Sequence, residues 1–269
     1  MTSTNKFIIT NTHSNNRKKN DFNKNKINFT DVKTVGKSGR RTVYISYDSY
    51  NKLHIQTPYM RVPYDITSYD NDNNINDYKL TLSFNDLNND EQKDFHKLIL
   101  DIDNHLKDYI LQNEDVSQKW FGTKHKHKEV IETLYNPMLK INKDENGEPT
   151  GKYPDSIKIK LPYYSDKFAF SLFNKNTKEE IENNDILKNL VKGCEVKLLM
   201  ECTGVYFISK NMYGLSWKVI QASVDVPETI QGYCMIDDER EEDLDLQKSC
   251  IINSDSEDDN NTNDVTNEE

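Results

Sequence analysis

The chain has 269 residues, 35% of them hydrophobic, with 35 Lys and Arg against 45 Asp and Glu and a formal charge of −10. Four cysteines (Cys194, Cys202, Cys234, Cys250) form no C-x-x-C pair and have no histidine at zinc-finger spacing, which excludes the common structural zinc frameworks and fits reduced thiols. No apolar run approaches the roughly 18 residues of a membrane span, and the first residues lack the apolar segment of a signal peptide, so a soluble, intracellular protein with no membrane partner is expected.

In chain order, Met1 to Arg41 carry ten Lys/Arg, two Asp/Glu and eight Asn with few apolar residues, too little apolar surface to order a segment, so a flexible basic arm is expected over 1–41. Gly36-Lys-Ser38 has the look of the end of a phosphate loop, but Asp31 stands where that pattern needs glycine, and the reading is rejected. Arg41 to Tyr47 and Lys52 to Thr57 alternate and are rich in β-branched and aromatic residues, which predicts strands. Pro58 and Pro63 bracket Tyr59 to Val62, so that piece is expected to leave the sheet or form a loop, and Asp70 to Asn76 reads as a polar linker. A further strand is expected over Tyr78–Phe84. Phe95, Leu98, Ile99, Ile102, Leu106 and Ile110 then recur at helical spacing from a start near Asp90, and a shorter helix is expected over Lys128–Leu134, ended by Pro137.

Beyond the turn residues Asn146, Gly147, Pro149 and Gly151, strands are expected over Ser156–Leu161, Lys167–Phe173, Glu195–Cys202, Val205–Ser209 and Leu215–Val226, with Gly204 and Gly214 in the tight turns joining the last three. This pattern predicts a mainly β domain over 42–232, a Greek-key barrel or sandwich with helical insertions. Tyr233 to Glu269 hold fourteen Asp/Glu against two Lys/Arg, a net of −12, and read as a disordered acidic tail. The other 232 residues carry 33 basic and 31 acidic groups, so the low overall charge belongs to the tail and conceals a nearly neutral body.

Catalytic patterns are missing. Asp101 and Asp103 cannot share a helix face, no G-x-S-x-G is present, and His125 and His127 sit within a lysine run that reads as a solvated basic loop rather than a metal site. The expectation is a non-enzyme without cofactor or metal. What stands out instead is aromatic and basic residues interleaved: Tyr59, Arg61 and Tyr64; Trp120 followed by Lys124, Lys126 and Lys128; Tyr163 and Tyr164; Tyr213, Trp217 and Lys218. Single-strand binders use aromatic faces to stack bases and cations to follow phosphates. For Trp217 and Phe207 burial is the stronger reading; for Trp120 the core and the platform readings stand level.

The strings His54-Ile-Gln-Thr-Pro-Tyr-Met60, Tyr78-Lys-Leu-Thr-Leu-Ser-Phe84, Trp120-Phe-Gly122, Tyr153-Pro-Asp-Ser-Ile-Lys-Ile159 and Gly214-Leu-Ser-Trp-Lys-Val219, in that order, resemble the single-stranded-DNA-binding proteins of nucleocytoplasmic large DNA viruses, a family related to the single-strand-binding proteins of short-tailed phages. The resemblance spans about 42–226. It implies an OB-fold, a five-stranded Greek-key barrel with helical insertions and a dimeric tendency, and an acidic tail that competes with DNA and recruits replication proteins. The chain ends in Asn267-Glu-Glu269, without the terminal aromatic of the phage-type tail. The function expected is single-stranded DNA binding in viral replication, recombination or repair, in host cytoplasm (viral factory) or nucleus. Its expected site residues are Tyr59, Arg61, Tyr64, Trp120, Lys124, Lys126, Lys128, Tyr213 and Lys218. Two rival readings are a scaffold whose acidic tail binds a basic partner, and an RNA-binding OB-fold protein.

Overall fold

Alternation of apolar and polar residues builds the sheet, and the switch to helical periodicity after Phe84 interrupts it. The computed structural model describes residues 22–36, 39–48, 51–70, 76–208 and 212–225. A 3-10 turn at Lys24–Lys26 leads into β1 (Ile27–Phe29), β2 (Lys33–Val35), β3 (Arg40–Val43) and β4 (Ile45–Tyr47), followed by β5 (His54–Gln56), β6 (Met60–Arg61), β7 (Thr67–Asp70) and β8 (Asn76–Ser83). Three helices, α1 (Asp90–Gln112), α2 (Glu114–Phe121) and α3 (Lys128–Leu134), precede β9 (Leu139–Lys140) and β10 (Ser156–Leu161). Short strands β11 (Tyr163–Tyr164), β12 (Lys167–Phe168), β13 (Ser171–Asn174) and β14 (Glu180–Ile181) and helix α4 (Ile186–Asn189) lead to two long strands, β15 (Glu195–Phe207) and β16 (Tyr213–Asp225).

Five strands close on themselves. β6 pairs with β8, β8 with β10, β10 with β16, β16 with β15, and β15 returns to β6. Within this ring every pairing is antiparallel except β10 with β16. Numbered along the chain, the ring runs first, second, third, fifth, fourth, first. This is the five-stranded Greek-key barrel of the OB-fold, with α1, α2 and α3 inserted between its second and third strands. Its interior is filled by Met60, Leu80, Leu82, Ile157, Ile159, Val196, Leu198, Met200, Val219 and Val224, all 1% exposed or less.

The long helix forms as its periodicity predicts. Asn89 caps it, its side chain accepting from the Glu91 amide at 2.8 Å, and Phe95, Leu98, Ile99, Ile102, Leu106 and Ile110 are all buried. Phe95 meets Phe84 with ring centroids 6.1 Å apart, which fixes the start of α1 against the end of β8.

Several expectations are corrected. Tyr59 to Val62 does not leave the sheet: Met60 and Arg61 pair with β15 and β8 and complete the ring, because both prolines fall just outside the paired residues, where no ladder donor is needed. Asp70 and Asn76, expected as the ends of a linker, pair with each other as the inner end of the β7–β8 hairpin. Gly204 and Gly214 lie within β15 and β16 rather than in turns. Helix α2, eight residues long, went unpredicted. Residues 22–36 carry a helical turn and two strands, with Ile27 buried and Phe29 against Trp120, so the expected arm overlaps packed structure. Residues 1–21 and the tail at 233–269 lie outside the described residues, as do Lys37 and Ser38.

Candidate nucleic-acid interface

Strand pairing determines which exposed side chains stand side by side. On β10, Ile157, Ile159 and Leu161 point inward, so Lys158 and Lys160 point outward. Lys160 stands opposite Lys79 on β8 and opposite Lys218 on β16. Lys218 stands opposite Glu201 on β15, and Glu201 opposite His54 on β5. A single row therefore crosses the outside of the barrel, with lysine on three adjacent strands. At a strand spacing of about 4.8 Å the three occupy roughly 10 Å. Lys158 lies opposite Thr81 on the same face, and a neighbouring row holds Arg61, Ser83, Ser156 and Lys140.

Carboxylates border this strip. Lys160 pairs with Asp77. Glu201, 7% exposed, receives Lys52 at 3.0 Å and Lys218 at 3.3 Å, with His54 Nε2 at 3.4 Å. Burial acts against the charged form of Glu201, but the bond from Lys52 and the charge of Lys218 outweigh it and hold the carboxyl below its usual value. Burial likewise lowers the pKa of His54, in spite of its bond to Glu201. Like charges directly opposite one another are unfavourable on a sheet, and Asp77 and Glu201 moderate that repulsion along the row.

The residues expected from sequence divide into four groups. Arg61 and Lys218 lie on this face. Trp120 and Tyr213 do not: Trp120 is 2% exposed and packed among Phe29, Tyr109 and Phe207 at centroid distances of 5.8, 6.1 and 6.0 Å, and Tyr213 is 0% exposed with its hydroxyl donating to the Ile131 carbonyl at 3.1 Å. Both rings belong to the core, which corrects the stacking role expected of them. Lys124, Lys126 and Lys128 are exposed, the first two between α2 and α3 and the third as the first residue of α3, and they approach Glu114 (3.4 and 3.2 Å) and Glu132 (3.7 Å).

Tyr59 is half-buried, its hydroxyl 3.0 Å from Ser223 Oγ, with Lys175 and Lys197 at 4.7 and 4.5 Å from its ring centroid. Just before β6, it reaches Ser223, further along β16 than Lys218, and two cations already occupy its π-system. Tyr64 is 64% exposed on the segment joining β6 to β7.

Lys79, Lys158, Lys160 and Lys140 were not singled out from sequence. The signal was present, since the alternation that predicts β8 and β10 already assigns the first three to the polar face. Among the described residues no group of three or more His, Cys, Asp or Glu side chains is placed to hold a metal ion, and no helix is long and apolar enough to cross a membrane.

No protein-family model matches this chain, and no curated protein matches it. Among solved structures it is similar to the single-stranded DNA-binding protein from bacteriophage Enc34 in complex with ssDNA, with a TM-score of 0.42 and 16% identity over 76% of this chain and 98% of that one. It is also similar to gp2.5, a single-stranded DNA binding protein encoded by bacteriophage T7, with a TM-score of 0.39 and 10% identity over 69% of this chain and 98% of that one.

Proposed function

We propose that the outer face of β8, β10 and β16 binds single-stranded DNA with little sequence preference, by phosphate neutralisation and base stacking and without a catalytic step, in viral DNA replication, recombination or repair. The observation that carries the reading is the placement of Lys79, Lys160 and Lys218 in consecutive cross-strand positions. A strip of lysines on the outside of the barrel suits a flexible strand whose bases can turn toward the protein, whereas a duplex keeps its base faces stacked inside. In the same reading the acidic tail competes with DNA for this strip and meets replication proteins, two copies pair, and the site of action is the viral factory or the nucleus.

The test is the salt dependence of oligonucleotide binding. Each phosphate contact on a single strand adds about −0.7 to the log–log salt slope, so replacing Lys79, Lys160 and Lys218 together by Ala makes the slope shallower by about 2. Replacing Lys124, Lys126 and Lys128 together makes the slope shallower by a similar amount only if that lysine run also touches the strand. A slope unmoved by the first set removes the barrel face from the interface.

A further inference from the structure

The same outer face carries an aromatic side chain beyond the lysine row. Tyr206 on β15 stands opposite Gly214 on β16 and opposite Thr42 on β3, which itself faces Lys33 on β2. Val205 before it is 0% exposed, so strand alternation turns Tyr206 to the outside, where it is half-buried. Gly214 offers no side chain to hold the ring away from the sheet. A Cβ at that position would stand 2.6 Å from Tyr206 Oη, 2.8 Å from its Cζ and 2.7 Å from the Asn136 carbonyl oxygen. The phenol therefore rests on bare backbone.

Its tip is fixed as well. Asn136 Nδ2 donates to Tyr206 Oη at 2.6 Å, and Asn136 Oδ1 accepts from Lys140 Nζ at 2.8 Å. Asn136 is anchored in turn by its own amide, which donates to the Tyr213 carbonyl at 2.7 Å. The result is a ring with glycine backbone beneath it and a polar clamp at its end, flanked by the exposed cations Lys140 and, across Thr42, Lys33. From Gly214 to Lys218 the strand advances roughly 14 Å. Ring and lysine row thus lie on one track along β16.

We infer that Tyr206 is a base-stacking platform of this face, with Lys140 beside it to meet the phosphate of the stacked nucleotide. This rests on the proposed binding of single strands. Covering the backbone of Gly214 needs only bulk, which leucine supplies, whereas stacking needs a π-face. That difference sets the experiment: the full chain and its Tyr206→Leu and Tyr206→Phe variants are titrated with a thymidine oligomer, and the parent is photo-cross-linked to the same oligomer carrying 5-iodouracil.

Tyr206→Leu is expected to weaken binding on the order of 10- to 100-fold with its unfolding temperature little changed, and Tyr206→Phe to stay within about threefold of the parent. The cross-link is expected in the peptide containing Tyr206. If the leucine variant binds as the parent does and the cross-link maps elsewhere, the platform is overturned while DNA binding stands. If the parent binds no oligomer at all, both readings fall. Should the leucine variant not fold, the cross-linked position in the parent decides alone.

Discussion

Asp103 lies on the buried face of α1 with 4% of its surface exposed. The Tyr135 hydroxyl donates to its Oδ1 at 2.5 Å, while Oδ2 has no hydrogen-bond partner. Burial pushes its carboxyl up to about 6 from an ordinary 3.8, against the bond from Tyr135 and the charges of Lys107 and Lys140. The sign follows: a raised carboxyl pKa favours the fold while the group is protonated in both states, below about 3.8, and this contribution is lost as pH rises through about 6. The loss amounts to roughly 3 kcal/mol in all. Asp103→Asn keeps an acceptor for Tyr135 and removes the charge. Urea midpoints measured from pH 4 to pH 8 should therefore show the variant gaining on the parent as pH rises, mostly between 4 and 7. A constant difference would mean that Asp103 titrates normally.

At the scale of elements, the bulge in β15 is the most constrained feature. Pairing of β15 with β16 shifts register between Cys202 and Gly204, and Gly204 has φ of +144° with the Val43 carbonyl directly against the position of a Cβ. Gly204→Ala combines backbone strain with overlap at β3 and is expected to cost about 2–6 kcal/mol, read from the denaturation midpoint. An alanine variant as stable as the parent would show that β3 can move aside. The boundaries of α3 and β10 and the inward face of α1 were legible in the sequence because each rests on local periodicity. The closure through Met60 and Arg61 was not, since two residues between prolines carry no pattern and their partners lie on β8 and β15. Burial of Trp120 depends on Phe29 and Phe207, distant in sequence, as well as on Tyr109, so its interleaving with lysines misled. Tyr206 was overlooked because its meaning comes from Gly214 across the hairpin.

For the whole molecule, charge is the first consideration. The tail carries a net of −12 and the remainder +2, from 33 basic and 31 acidic groups. A tethered polyanion acts at high effective concentration, so removing Asp237 to Glu269 is expected to tighten oligonucleotide binding at low salt. The gain should fade as the Debye length shortens toward about 8 Å near physiological ionic strength. Adding the tail as a free peptide should displace oligonucleotide from the truncated chain; failure of both effects would leave the tail to partners or solubility. The ring of strands also has a temporal consequence. Arg61 on β6 pairs with Ser83 on β8 but finds its second partner only at Glu195, the first residue of β15. At about 5–20 residues per second a ribosome takes roughly 7 to 27 s to cover that interval. As β6, β8 and β10 emerge in turn, their inner faces lack the two strands that close them, and such long-range pairing is slow to form. Helices α1 to α3 emerge within the same interval, and in the folded chain Phe95 of α1 meets Phe84 at the end of β8. The insertion that interrupts the barrel is thus complete in the nascent chain before β15 and β16 can close the ring.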